Sequence, residues 1–151
     1  MPGTDAVATG TVDLEVACAI PGEEPQNSVN HVTLTVPAQV AAGESTAVRL
    51  TLRSRAATPR DLAAGEVTAE LQVAVAGPDG DALLTVTGLT NPQAIPRGEQ
   101  VFLDSGTAVF TPKLSGDYTF TPGDHVVVTS DHPVECTVIG GSAVAARTEV
   151  R

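Results

Sequence analysis

The sequence is short of aromatic side chains: its 151 residues include no Trp, one Tyr and three Phe. Carbohydrate cleavage and carbohydrate binding commonly use aromatic platforms beside carboxylates, so this shortage argues against both. Long apolar runs are also missing, and no stretch reaches the roughly 18 apolar residues of a membrane-spanning helix. We therefore expect no membrane insertion.

Positive charge is scarce as well. Eight Lys and Arg residues stand against eighteen Asp and Glu residues, which gives a formal net charge of −10. A surface of that sign repels phosphate groups, so we expect no nucleic-acid binding. Four arginines lie close together in the sequence and form a candidate partner patch: Arg49, Arg53, Arg55 and Arg60. Arg49 and Arg53 also fit the solvent face of a strand.

Groupings typical of catalysis are not found in the sequence. The serines lack the Gly-x-Ser-x-Gly spacing of a nucleophile elbow. His125 and His132 each follow an aspartate, but neighbouring residues on a strand point to opposite faces, so neither pair forms a dyad. Asp79 and Asp81 supply too few oxygen ligands for a calcium loop. We expect a non-enzymatic protein with no cofactor, no catalytic residues and no metal ligands.

Alternation of apolar and polar residues, the pattern of a strand with one buried face, recurs along the chain. In residues 11–18, for example, Val12, Leu14, Val16 and Cys18 share one face. The pattern predicts strands at 11–18, 31–36, 45–53, 66–76, 82–88, 101–103, 106–111, 117–120, 124–129, 134–139 and 143–149.

Short strands separated by Gly and Pro, with no long helices between them, favour an antiparallel sandwich over a barrel. We predict an all-β fold: one immunoglobulin-like β-sandwich of about 8–10 strands over residues 11–151, preceded by a flexible segment 1–10. Residues 54–65 break the alternation. Thr58, Pro59 and Asp61 resemble the start of a helix there, which predicts one or two helical turns.

The segment from Leu114 to Tyr118 resembles a tyrosine corner, in which a tyrosine hydroxyl binds a nearby backbone group at the edge of a sandwich. Leu114, the turn residue Gly116 and Tyr118 would form it. The alternative is an ordinary buried tyrosine.

Two cysteines, Cys18 and Cys136, lie near opposite ends of the patterned region, each in an inward-facing register. We predict a disulfide between them, because two distant inward cysteines in a β-domain are typical of exported proteins. The alternative is a pair of buried thiols in a cytosolic protein. The N-terminus lacks a signal peptide, and we interpret Met1 as a start codon that replaces one, which would make the protein secreted.

Several short motifs resemble an uncharacterised family of secreted actinobacterial β-sandwich domains with paired cysteines. They are the cysteine segment at 16–22, Val-Pro-x-x-Val-x-x-Gly at 36–43, Gly-x-Tyr-x-Phe-x-Pro-Gly at 116–123 and Val-x-Cys-Thr at 134–137. The resemblance runs from about residue 11 to residue 149, but segments 49–60 and 91–98 do not match. It implies export, an immunoglobulin-like sandwich and paired cysteines, and it implies no activity.

These observations favour a secreted, non-enzymatic interaction module that binds another secreted or envelope protein, with segment 1–10 as a candidate docking strand. The first alternative is an accessory domain that binds or acts on polysaccharide. It requires an exposed cluster among Phe102, Phe110, Tyr118 and Phe120. The second alternative is a surface metal-binding protein that uses His125 and His132.

Overall fold

A computed structural model describes residues 6–20, 22–129 and 133–151. These residues form ten strands and no helix: β1 (Val7–Ala19), β2 (Gln26–Pro37), β3 (Gln39–Val40), β4 (Thr46–Ala57), β5 (Thr68–Gly77), β6 (Gly80–Thr90), β7 (Gln100–Phe110), β8 (Gly116–Val128), β9 (Pro133–Val138) and β10 (Ala146–Val150). The all-β prediction is confirmed. In the described ranges, no helix has the length and apolar character needed to cross a membrane.

Eight of the strands close into a barrel, in the order β8-β5-β6-β7-β4-β2-β1-β9 and back to β8. Closure depends on β9, which pairs antiparallel with the end of β1 and with the end of β8. This arrangement differs from the predicted sandwich, because the hydrogen-bonded strands form one continuous ring and not two separate sheets. Alternation in a sequence shows that a strand has one buried face, which a sandwich and a barrel share.

The other two strands lie beside this ring. β10 pairs antiparallel with the first half of β8, and the short β3 pairs parallel with β10. β9 and β10 therefore both border β8, one at each of its ends.

The inward faces of the barrel strands are largely aliphatic, which agrees with the alternation in the sequence. Three aromatic rings add to this core: Phe110 meets Tyr118 and Phe120 edge to face, with ring centroids 5.2 and 5.1 Å apart. The most deeply buried side chains include Leu14, Val16, Val32, Leu34, Leu71, Val73, Val86, Leu89 and Leu103.

The segment 58–65 is not helical, so the prediction of a helical turn there is wrong. It pairs instead with the connection after β6, through a bridge between Leu62 and Ile95. The buried Asn91 side chain joins the two connections: its amide donates to the Ala63 carbonyl oxygen at 2.8 Å, and its oxygen accepts from the Val67 N–H at 2.9 Å. These contacts outweigh the local preference of Thr58-Pro59 for a helix start.

Two predicted boundaries differ from the structure. β1 begins at Val7 and pairs with β2 from its first residue, so residues 7–10 belong to the barrel and not to a separate N-terminal segment. Residues 1–5 lie outside the described part. The predicted strands 101–103 and 106–111 are one strand, β7, with an irregularity at Ser105, whose φ is 70°.

Candidate functional site

The predicted disulfide between Cys18 and Cys136 is present. The two residues are direct cross-strand partners on β1 and β9, with Cα atoms 4.0 Å apart. The bond therefore fastens the strand that closes the barrel to the strand that begins it. A disulfide is consistent with an oxidising environment outside the cell.

The hydrogen bond expected of a tyrosine corner is present as well. The Tyr118 hydroxyl donates to the Leu114 carbonyl oxygen at 2.9 Å. The ring is buried and lies where a side chain at Gly77 would be: a Cβ there would come within 2.3 Å of a ring carbon. Gly116 has a φ of 138° and begins β8. Tyr118 thus supports the fold and offers no surface to a partner.

The four candidate arginines do not form a compact patch. Arg49, Arg53 and Arg55 project outward from β4, and the Arg53 guanidinium lies 4.9 Å from the centre of the Phe102 ring. Arg60 lies beyond the strand, where its Nη2 is 2.6 Å from a carboxylate oxygen of Glu66. The structure therefore brings three of the four to one face, spread along the strand, and separates the fourth.

His125 is buried and both of its ring nitrogens are engaged. Nδ1 lies 3.0 Å from the Gly123 carbonyl oxygen, and Nε2 lies 2.7 Å from Nδ2 of Asn30. A carbonyl only accepts, so Nδ1 carries the proton and Nε2 accepts from Asn30. Burial lowers the pKa of this imidazole below its ordinary value, which keeps it neutral.

This arrangement leaves His125 without a free nitrogen for a metal ion. The described residues contain no group of three or more potential metal ligands, and His132, the other histidine of the metal hypothesis, lies outside the described residues. The third histidine, His31, contacts the Asp13 carboxylate on the outer face of the barrel.

The aromatic cluster required by the polysaccharide hypothesis is not exposed. Phe110, Tyr118 and Phe120 are core residues, and Phe102 is half-buried beneath Arg53. No stacking platform for a sugar ring is formed by these four side chains.

The ring is only sparsely paired between β6 and β7, a feature that the alternation of the sequence does not predict. In the described part of the chain these strands pair only at Thr87 with Thr107 and at Thr90 with Asp104. Residues 80–86 of β6 pair with β5 alone, and residues 108–110 of β7 pair with β4 alone. We call these two unpaired edges the open seam.

Comparison with known proteins was made against family models, curated proteins and solved structures. None of them matches this chain.

Two large apolar side chains flank the open seam on the outer surface. Leu83 on β6 is 69% exposed and Val109 on β7 is 68% exposed, the two highest values among the exposed large hydrophobic residues of the described part. The exposure of a leucine on β6 could have been predicted from the sequence. Leu83 and Leu84 are consecutive in a strand, so one of the two must point away from the core.

Proposed function

We propose that the protein is a secreted, non-enzymatic interaction module, and that it binds another exported protein by adding a strand of that partner to the open seam. The observation that carries the proposal is the unpaired edge of β6 at residues 80–86, beside exposed Leu83 and Val109. An extended segment can pair its backbone with such an edge and place alternate side chains against apolar neighbours.

Natural proteins usually protect an exposed edge with Lys, Pro or a bulge. The β6 edge reads Gly-Asp-Ala-Leu-Leu-Thr-Val and has only Asp81, at its beginning, as a charged residue. Two residues with high strand propensity, Thr85 and Val86, lie at its end. An edge that is long, apolar and unprotected is suited to a partner strand.

The docking strand of this proposal differs from the one expected from the sequence. Residues 7–10, which the sequence analysis included in a candidate docking segment, already pair with β2. We therefore propose β6, instead of segment 1–10, as the docking edge. The secreted location is supported by the disulfide, and the resemblance to secreted actinobacterial domains fits the same proposal.

A capture experiment tests the proposal. Wild-type protein on beads is exposed to culture supernatant of the producing cells, and bound proteins are quantified by mass spectrometry. Leu83→Lys introduces the residue that natural edges use against pairing, and we expect it to reduce capture of a specific partner about tenfold. The matched control is Val144→Lys, at an exposed valine on the connection between β9 and β10.

Equal capture by wild type, Leu83→Lys and Val144→Lys would show that β6 is not the docking edge. Sedimentation of the purified protein tests whether the seam is instead filled by a second copy of this chain. If wild type is a dimer and Leu83→Lys is a monomer, the strand that fills the seam comes from a second copy of this chain.

A further inference from the structure

A cavity of about 400 Å³ opens at the end of the barrel that carries the disulfide. Its volume lies within the range of pockets that bind small molecules, at the lower end. The cavity and the open seam are different types of site, because the cavity is a concave pocket and the seam is an unpaired strand edge. Its apolar wall includes Ile20, Leu62, Val101, Leu103, Val127 and Val134.

The sequence explains why this end of the barrel is hollow. Along β2 the inward positions change from Val32 to Asn30, and along the neighbouring β4 they change from Leu52 to Ser54. Ala56 follows two residues later and also lines the cavity. Small or polar side chains thus replace large aliphatic ones on adjacent strands at one level of the barrel, and the remaining space is not filled.

Several polar side chains line this space, among them Ser28, Ser54 and Thr129, and Asn30 is the most deeply buried polar residue of the lining. Asn30 is 4% exposed, and its Nδ2 donates to the neutral His125 ring. Its Oδ1 has no protein partner in the described part of the chain. Every fully enclosed side-chain N or O atom of the described residues has a hydrogen-bond partner. Since Oδ1 has none, it is not fully enclosed, and it is open to the cavity that Asn30 lines. Oδ1 is therefore a free acceptor at the polar side of an apolar site.

Charge sets a second limit on the ligand. Among the described lining residues, Arg60 is the only ionisable one, and its guanidinium is engaged with Glu66. An anionic ligand would find no free cation there and would meet a protein with a net charge of −10. A cationic ligand would have to lose its hydration without gaining a carboxylate.

We infer that this cavity binds a small, neutral, largely apolar molecule that carries one hydroxyl or N–H group, and that the group donates a hydrogen bond to Oδ1 of Asn30. The apolar body lies against the aliphatic wall of β7, β8 and β9. The disulfide between Cys18 and Cys136, which also lines the cavity, holds its rim.

The test uses N-phenyl-1-naphthylamine, a neutral apolar dye with one N–H group whose fluorescence rises in an apolar site. The chain has no Trp, so the background is low. We expect saturable one-to-one binding by wild type. Ser54→Leu places a large side chain in the cavity, and we expect it to weaken binding more than tenfold. The control Ser142→Leu, at an exposed residue after β9, should bind as wild type does.

Two further measurements keep the result decisive if Ser54→Leu folds poorly. The N-methyl derivative of the dye has no donor, and we expect it to bind wild type about tenfold more weakly. Amide shifts of wild type on dye addition should change at Asn30, Val101 and Leu103. Absence of saturable binding, equal affinity for both dyes, or shifts confined to Leu83 and Val109 would each overturn the inference. None of these outcomes bears on the docking of a partner at β6.

Discussion

Removal of the disulfide should cost a large part of the stability of this protein. The double variant Cys18→Ala/Cys136→Ala leaves the native strands in place, because β9 pairs with β1 and with β8 through its backbone. The main effect is therefore on the unfolded chain, which gains the freedom that the bond removes.

The magnitude follows from the length of the closed loop. The cysteines are separated by 118 residues. The chain-entropy relation then gives about 4.9 kcal/mol at 25 °C, as an upper estimate. Since domains are stable by about 5–15 kcal/mol in total, the loss would leave this one marginal. With a urea m-value of about 2 kcal/mol/M, the unfolding midpoint should fall by about 2.5 M.

Urea unfolding followed by far-UV circular dichroism measures this effect. Wild type and the double variant are compared with and without reductant, and reductant should destabilise wild type alone. A double variant that keeps its native spectrum and loses less than about 1 kcal/mol would refute the reasoning, because the bond would then constrain the unfolded chain very little.

Two other predictions concern buried polar side chains. Asn91→Ala removes the hydrogen bonds that join the two connections and leaves the buried Val67 N–H without a partner. Urea unfolding should therefore show that the free energy of unfolding falls by about 3 kcal/mol. The exposed control Asn27→Ala should lower it by less than about 0.5 kcal/mol. His125 has a pKa below its ordinary 6.5 in the folded protein because it is buried. The unfolded chain therefore binds a proton that the folded one does not, and wild type should lose stability as the pH falls below 6.5, until the lower folded pKa is passed. His125→Gln should lose less over the same pH range in parallel melts, and an identical pH dependence would contradict this assignment.

The faces of the strands could be predicted from the sequence, and the pairing of strands that are distant in the chain could not. Alternation placed Leu14, Val16 and Cys18 on the buried side of β1, where the structure has Leu14 and Val16 fully enclosed. It says nothing about which strand lies beside β1. The pairing of β9 with both β1 and β8 is a contact between distant segments, and it decides between a sandwich and a barrel.

The candidate sites differ in the same way. The bond from Tyr118 to Leu114 spans four residues and has a local signature, and the cysteine pair follows from residue type. The open seam depends on where β6 and β7 diverge, and the cavity depends on Asn30 and Ser54 being neighbours across two strands. Neither relation is local in sequence.

The double pairing of β9 has a consequence for the order of assembly. Seven barrel strands precede β9 in the chain, and none of the described pairings joins β1 to β8 without it. Until residues 133–138 are available, the sheet has two free edges besides the open seam, at β1 and at β8, which can pair with other chains. Loop closure over more than a hundred residues is slow. The barrel without β9 is therefore the state most exposed to aggregation. The bond between Cys18 and Cys136 joins β9 to β1, so its formation shows that the barrel has closed.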